Sequence, residues 1–295
     1  MKSKLGVVIV TYNPDDNVLN SIKASENFIT VVVDNGSREN HVKKSLRRFV
    51  NENSNFIFVE LDTNLGLGAA QNIGCSKLKE MNAKYVVLFD QDTIVDESFL
   101  EMAMENYNIA KQRFSNIGVL VPIYYDKQRK KVAEFTARYS GKYRKTSIRN
   151  DFQKISFANA SGMIFDLELV REIGGMREDF FIDQIDVEFC ERVTQNGFDI
   201  IATKQLKIIH TVGEGTVTKI GSLEVQHSNH NDVRRYYIAK NSIILNKLYP
   251  NDKEFVKLIN KRLVKTIFVC FLEKNSIQKI LAIFRGVRDG LRYEV

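Results

Sequence analysis

Two aspartates one residue apart, Asp90 and Asp92, close the apolar run Tyr85-Val86-Val87-Leu88-Phe89. The run reads as a buried strand, where bare carboxylates cost free energy unless something pairs them. Hard oxygen ligands at a strand's C-terminal end suit a divalent cation carrying phosphates, and open α/β sheets bind ligands at that edge. The tripeptide fits equally an acidic turn in which Asp92 caps the next element. A second group, Asp183, Asp186, Glu188 and Glu191, packs four acids into nine positions. Helical residues two apart point about 200° from one another, so Asp186 and Glu188 cannot share a site if both are helical. Glu188 and Arg192 are spaced as a surface ion pair. Asp186, at the helix start, is either an N-cap or a carboxylate aimed into a crevice as a general base. His210 ends the run Lys207-Ile208-Ile209 before a glycine-bearing loop, a place for a structural histidine or a ligand.

Positioning these groups falls to a repeating pattern of short elements. Strand-like runs at 7–10, 31–33, 56–59 and 85–89 alternate with helical patterns at 16–24, 41–50 and 69–81. This βαβαβαβ order implies a mostly parallel, doubly wound sheet with helices on both faces. The first strand runs into Thr11-Tyr12-Asn13-Pro14, the second ends at Asp34-Asn35-Gly36-Ser37 and the fourth at Asp90. Thr11, Asp34 and Asp90 therefore share the ligand-binding edge. Asn64-Leu65-Gly66-Leu67-Gly68 enters the third helix with two glycines; it is a poor dinucleotide fingerprint, because Gln71 stands where a third glycine belongs. Its glycines allow close backbone approach, and the helix N-terminus could face a diphosphate. Beyond Pro122, residues 127–149 are basic and aperiodic, a hairpin or loop, and 156–165 read as a strand of small residues.

The chain has 295 residues, 44% hydrophobic and 27% charged, enough for a large core and ordinary for a globular protein. Its three cysteines are far apart and odd in number, which argues against a disulfide framework and for a reducing cytosol. The N-terminus is too short and too β-branched in its apolar run for a signal peptide, and no apolar stretch reaches the roughly 20 residues that span a bilayer. A net charge of +7 permits a polyanionic partner. Nucleic acid is disfavoured because the basic residues scatter over 43–48, 127–149 and the C-terminal helix instead of forming one stripe with stacking aromatics. In that last helix Ile277, Ile280, Leu281, Phe284, Val287 and Leu291 recur at helical spacing opposite Lys279, Arg285, Arg288 and Arg292. Such a helix suits an anionic membrane surface, a second copy in a homodimer, or packing on the catalytic domain.

The ordered set Val8-Ile9-Val10-Thr11-Tyr12-Asn13, Val33-Asp34-Asn35-Gly36-Ser37, Asn64-Leu65-Gly66, Phe89-Asp90-Gln91-Asp92, Ala160-Ser161-Gly162, the segment 181–190 and Arg234-Arg235-Tyr236-Tyr237 resembles inverting family-two glycosyltransferases of the GT-A fold, most closely the bacterial rhamnosyltransferase branch. The resemblance covers roughly residues 5–245 and implies a GT-A catalytic domain over 1–220, with a nucleotide half to about 122 and an acceptor half from 123, then a helical region at 221–295. It implies that Thr11, Tyr12 and Asn13 line a nucleotide pocket, that Asp34 contacts the pyrimidine, and that Asn64, Gly66 and Asp90 help hold the nucleotide. Asp92 matches the metal ligand of the DxD motif for Mg²⁺ or Mn²⁺, and His210 a metal or diphosphate contact. Asp186 matches the catalytic base. Many relatives carry Glu-Asp where this chain has Ile185-Asp186, so Asp183 remains a second candidate. The resemblance implies dTDP-β-L-rhamnose as the donor, a lipid-linked glycan as the acceptor, a role in bacterial cell-surface polysaccharide synthesis, and a place in the cytoplasm or on the cytoplasmic face of the membrane. Another nucleotide sugar such as a UDP-sugar, or a non-catalytic nucleotide- or nucleic-acid-binding protein, is the alternative.

Overall fold

The computed structural model describes residues 4–127, 130–210, 216–220, 223–227 and 229–295, with only the backbone course described at 210, 216–220 and 223–227. These residues fall into two compact units. The first comprises 1–137, 145–181 and 185–211; the second comprises 138–144, 182–184 and 212–295. The sequence places the division near 220 and assigns 138–144 and 182–184 to the catalytic domain. The fold instead builds both short pieces into the C-terminal unit.

The first unit begins as the pattern predicts: β1 (Leu5–Thr11), α1 (Val18–Ala24), β2 (Ile29–Asp34), α2 (His41–Glu52), β3 (Phe56–Glu60), α3 (Leu67–Glu80) and β4 (Tyr85–Asp90). In chain order there follow α4 (Phe99–Arg113), β5 (Ile117–Asp126), β6 (Lys131–Val132), β7 (Phe135–Tyr139) and β8 (Lys142–Thr146), whose residues 138–144 count with the second unit, then β9 (Phe152–Ile155), β10 (Ile164–Asp166), α5 (Leu167–Ile173), α6 (Ile185–Gln195) and β11 (Asp199–His210). The sheet runs β3-β2-β1-β4-β10-β5-β11-β9, with β6 on β5. β1 to β4 are mutually parallel, β10 lies antiparallel between β4 and β5, and β5 and β11 are parallel. Every residue of β1 is buried, the signature of a central strand covered on both faces.

The expected strand over 156–165 is cut down to Ile164–Asp166. Ala160-Ser161-Gly162 forms a turn instead, with Met163 N donating to Ala160 O at 3.0 Å and Gly162 at φ +83. Small residues there allow the turn to sit against β4, where Gly162 N donates to Leu88 O at 2.6 Å.

The second unit holds the hairpin strands β12 (Thr216–Ile220) and β13 (Leu223–His227) and the helices α7 (Asp232–Leu248), α8 (Lys253–Cys270) and α9 (Ser276–Arg292). Ala239, Leu263, Cys270 and Ile283 form its core. α7 and α9 approach closely along small residues: a Cβ on Gly286 would lie 2.3 Å from Tyr236 O, and one on Gly290 2.8 Å from Lys240 O. This contact rotates α9 away from the expected arrangement. Ile280, Ile283 and Val287 turn inward, while Ile277, Leu281, Phe284 and Leu291 remain exposed. Lys279, expected on the polar face, is buried.

Lys279 Nζ bonds Glu273 Oε2 at 2.9 Å and donates to Asn229 Oδ1 at 2.7 Å, while Arg235 Nη2 meets Glu273 Oε1 at 2.5 Å. Burial pushes the Glu273 carboxyl up, but the hydrogen bonds from Lys279 and Arg235 outweigh it and hold it below its ordinary value. Its contribution to stability is therefore present above about pH 4.3 and is lost as pH falls through the lowered folded value. Glu273→Gln should destabilise the protein by about 3–5 kcal/mol, because two buried cations lose their counter-charge. Urea unfolding at neutral pH measures this; a loss under about 1 kcal/mol would mean that water reaches the cluster.

Candidate active site

The strand register brings three predicted residues to one edge. Thr11 pairs with Asp34 across β1 and β2, and Val10 with Asp90 across β1 and β4. Asp34 is completely buried. Its carboxylate accepts from Thr11 Oγ1 at 3.1 Å, Ser37 N at 3.1 Å and Ser37 Oγ at 2.5 Å, and pairs with Lys43 Nζ at 2.9 Å. Lys43, itself buried, also bonds Glu60 at 2.9 Å. Burial disfavours its charge, yet hydrogen bonds to Asp34 and Glu60 prevail and raise its pKa. Asp34 thus has its polar atoms committed to the floor of the edge. Lys43→Met leaves that carboxylate buried beside neutral groups, and an unfolding free energy lower by about 3–5 kcal/mol is expected in a denaturant titration.

Above this floor the loops are latched to one another. Asn13, at φ +46, donates its backbone N–H to Ser37 Oγ at 2.7 Å and accepts at Oδ1 from Arg38 N at 3.0 Å. Tyr12 N donates to Gln91 Oε1 at 2.8 Å, so the residue between the two acids ties β4 to the end of β1. The Tyr12 ring stays exposed. Asn35 Nδ2 donates to Asn64 Oδ1 at 3.0 Å and to Gly66 O at 3.2 Å. Asn64 Oδ1 also accepts from Gly66 N at 2.9 Å. Gly66 sits at φ +94, and a Cβ there would lie 2.7 Å from the Phe181 backbone. Leu67 N, at the start of α3, donates to Phe181 O at 2.7 Å. The close approach that the glycine permits is therefore made by the protein's own chain on that side.

Asp90 and Asp92 line a cleft with Thr93, Tyr124, Asn159 and Ser161. Ser161 Oγ lies 2.6 Å from Thr93 Oγ1 and accepts from Asp90 N at 3.3 Å. Tyr124 Oη donates to Asn159 O at 2.9 Å. Burial raises the Tyr124 phenol well above its ordinary value, and the charges of Cys190, Asp186 and Asp90 add to the effect. Asp186 is the second residue of α6, half-buried, with Oδ1 accepting from Val187 N at 2.9 Å.

Among the described residues no group of three His, Cys, Asp or Glu side chains could hold a metal. Two carboxylates at one cleft nevertheless fit Mg²⁺ or Mn²⁺, hard cations that take most ligands from phosphate oxygens and water. The side chain of His210 lies outside the described residues; its backbone pairs with Asp126 at the end of β11.

The remaining acids are structural. Glu188 and Arg192 are not a surface pair: Glu188 is buried, and Arg192 bonds it at 3.0 and 2.7 Å. Arg192 also donates to the carbonyls of Ile173, Gly174 and Gly175, closing the end of α5. In the second unit Asp183 accepts from Arg234 at 3.0 and 2.6 Å, and Asn241 Nδ2 holds the carbonyls of Ile182 and Asp183 at 3.0 and 2.9 Å. A carboxylate engaged through both oxygens by a guanidinium is poorly placed to take a proton. Asp183 and Gln184 both have positive φ, strain that the clamp on 182–184 helps to hold. Lys43, Gln91, Tyr124 and Ser161 line or support the site although the sequence assigns none of them a role; Gln91 and Ser161 lie inside motifs it marks. Gln91, between the acids, had the plainest signal.

Residues 6–174 match the family model described as glycosyl transferase family 2. The chain is 28% identical to the dTDP-rhamnosyl transferase RfbF of Shigella flexneri, over 99% of this chain and 97% of that protein. It is 22% identical to the low-salt glycan biosynthesis hexosyltransferase Agl10 of Haloferax volcanii, over 82% and 77%. Two solved structures share the fold. GalNAc-T7 with UDP, GalNAc and Mn²⁺ has a TM-score of 0.58 at 13% identity, covering 90% of this chain and 57% of that one. S. aureus TarS has a TM-score of 0.56 at 15% identity, covering 99% and 49%. The chain spans about half the length of these two structures.

Proposed function

Because the chain belongs to glycosyl transferase family 2, we propose that this GT-A enzyme transfers L-rhamnose from dTDP-β-L-rhamnose to a glycan acceptor with inversion. The acceptor in this reading is lipid-linked and the product a bacterial cell-surface polysaccharide. The observation that supports the catalytic part is the cleft lined by Asp90, Asp92 and Tyr124, in the same unit as Asp186 at the start of α6. The donor rests on the full-length likeness to a dTDP-rhamnosyl transferase.

Tyr12 and Asn13 border the nucleotide, with Tyr12's exposed ring available to a base. Thr11 and Asp34 set the floor beneath it, and Asn64 and Gly66 shape the adjoining loop. Asp92 would hold the cation, with His210 as a further contact, and Asp90 would lie toward the nucleotide. When bound, Mg²⁺ or Mn²⁺ neutralises the charge that develops on the departing diphosphate. Asp186 accepts the proton of the acceptor hydroxyl as its oxygen attacks the anomeric carbon opposite the leaving group. With one base and no carboxylate nucleophile, a single displacement inverts the β-donor to an α-linkage.

A donor screen with Mg²⁺ and a lipid-linked acceptor tests the reading. Transfer from dTDP-rhamnose and an α-linked product are expected. Turnover of UDP-sugars without dTDP-rhamnose would replace the donor, and metal-dependent nucleotide binding with no turnover of any donor would overturn the enzyme assignment.

A further inference from the structure

Residues 253–292, spanning α8 and α9, carry ten lysines and arginines against three acids. That net +7 equals the charge of the whole chain, so the remaining residues are neutral in sum. Lys257, Lys261, Lys265, Lys274, Arg285, Arg288 and Arg292 are all exposed. The same helices expose large apolar side chains. On α9, Ile277, Leu281, Phe284 and Leu291 are 55–74% exposed, and they fall with Arg288 at spacings of four, three, four and three. On and just beyond α8, Phe268 and Phe271 are 68% and 65% exposed. Leu281, Phe284, Arg285 and Arg288 share a groove of about 650 Å³ with Asp232 and Gln278. These apolar side chains are not spare core, because α9 already meets α7 through Ala282, Ile283, Gly286 and Gly290.

We propose that the exposed face of α9 docks on the surface of an anionic lipid bilayer, with Ile277, Leu281 and Phe284 entering the headgroup boundary. The inference rests on the reading that the acceptor is carried by a lipid. An interfacial helix joins exposed large hydrophobics to flanking cations, and the net +7 is complementary to an anionic leaflet. A two-fold dimer through the same face would set two such charges against each other, which disfavours a second copy as the occupant. No helix among the described residues is long and apolar enough to cross a membrane, so the contact is one of surface.

Flotation of the full chain with vesicles of phosphatidylcholine, with and without one-third phosphatidylglycerol, tests the proposal in the absence of donor sugar. Binding to the anionic vesicles, lost in high salt, is expected. Arg285→Gln with Arg288→Gln should reduce it about tenfold or more, at roughly fivefold per basic residue near the surface. Leu281→Asp with Phe284→Asp should abolish it, and because both side chains are exposed the thermal unfolding midpoint should stay unchanged. No flotation on the anionic vesicles overturns the proposal. So does a stable dimer that Phe284→Asp dissociates while vesicle binding is absent, which makes the occupant a second copy. Equal binding by wild type and the double aspartate variant overturns it as well. Because flotation needs no turnover, failure of the transferase reading appears separately as absence of product from every donor.

Discussion

Asp186→Asn is expected to lower kcat by roughly 10²–10⁴-fold while the dissociation constant for dTDP or dTDP-sugar stays within about twofold of wild type. The amide keeps the shape of the side chain and, at Oδ1, the acceptor for Val187 N at 2.9 Å, so the start of α6 should persist. What is lost is the ability to take a proton from the acceptor hydroxyl. Any acid limb in the pH–rate profile that belongs to this carboxylate should vanish with it. Turnover and isothermal binding measured on the same preparation separate the roles. If nucleotide affinity falls as far as turnover, Asp186 is part of the donor pocket and the base lies elsewhere. Asp183 is the weaker substitute, since Arg234 holds both of its oxygens.

Asp92→Ala should act on the other half of the reaction. In the presence of Mg²⁺ or Mn²⁺ the affinity for the nucleotide diphosphate should fall by at least about 10–100-fold. With excess chelator the wild type and the variant should bind alike, because the groups beneath the nucleotide do not involve Asp92. The side chain is exposed, so folding stability should move by less than about 0.5 kcal/mol. A metal titration followed by nucleotide binding reads the difference. Equal affinities with and without metal, in both proteins, would remove Asp92 from the cation site. Losses in the metal-bound state alone would support the DxD reading of Asp90 and Asp92.

Much of this arrangement is written locally in the chain. β1 to β4 are short apolar runs separated by helical patterns, and a parallel βαβ order requires their C-terminal ends to share an edge. Thr11 and Asp34 therefore pair in register, and Asp90, opposite Val10, lies on the same edge, as the pattern predicts. The acidic tripeptide at the end of β4 and Asp186 at the start of α6 are legible for the same reason: each lies at an element boundary that turn and periodicity signals mark.

Tertiary pairing decides the rest, because a side chain's partner can be far away in sequence. Nothing near Asp34 announces that Lys43 comes back from α2 to share its burial with Glu60. Arg192 looks like half of a surface pair until its guanidinium meets three carbonyls at the end of α5. Asp186 matches the base and Asp183 stays a second candidate in sequence; only the fold brings Arg234, 51 residues beyond Asp183, onto both of its oxygens. On α9 the hydrophobic period correctly marks a helix, but it cannot say which of two apolar faces is covered. Gly286 and Gly290 decide that by letting α7 close in, leaving Ile277, Leu281 and Phe284 in solvent. Sequence by itself determined the first four strands, their common edge and the acids placed on it, since these follow from local periodicity. The fold alone decided which acids are neutralised and which apolar face stays open, since burial and charge pairing depend on neighbours the chain brings together only when it packs.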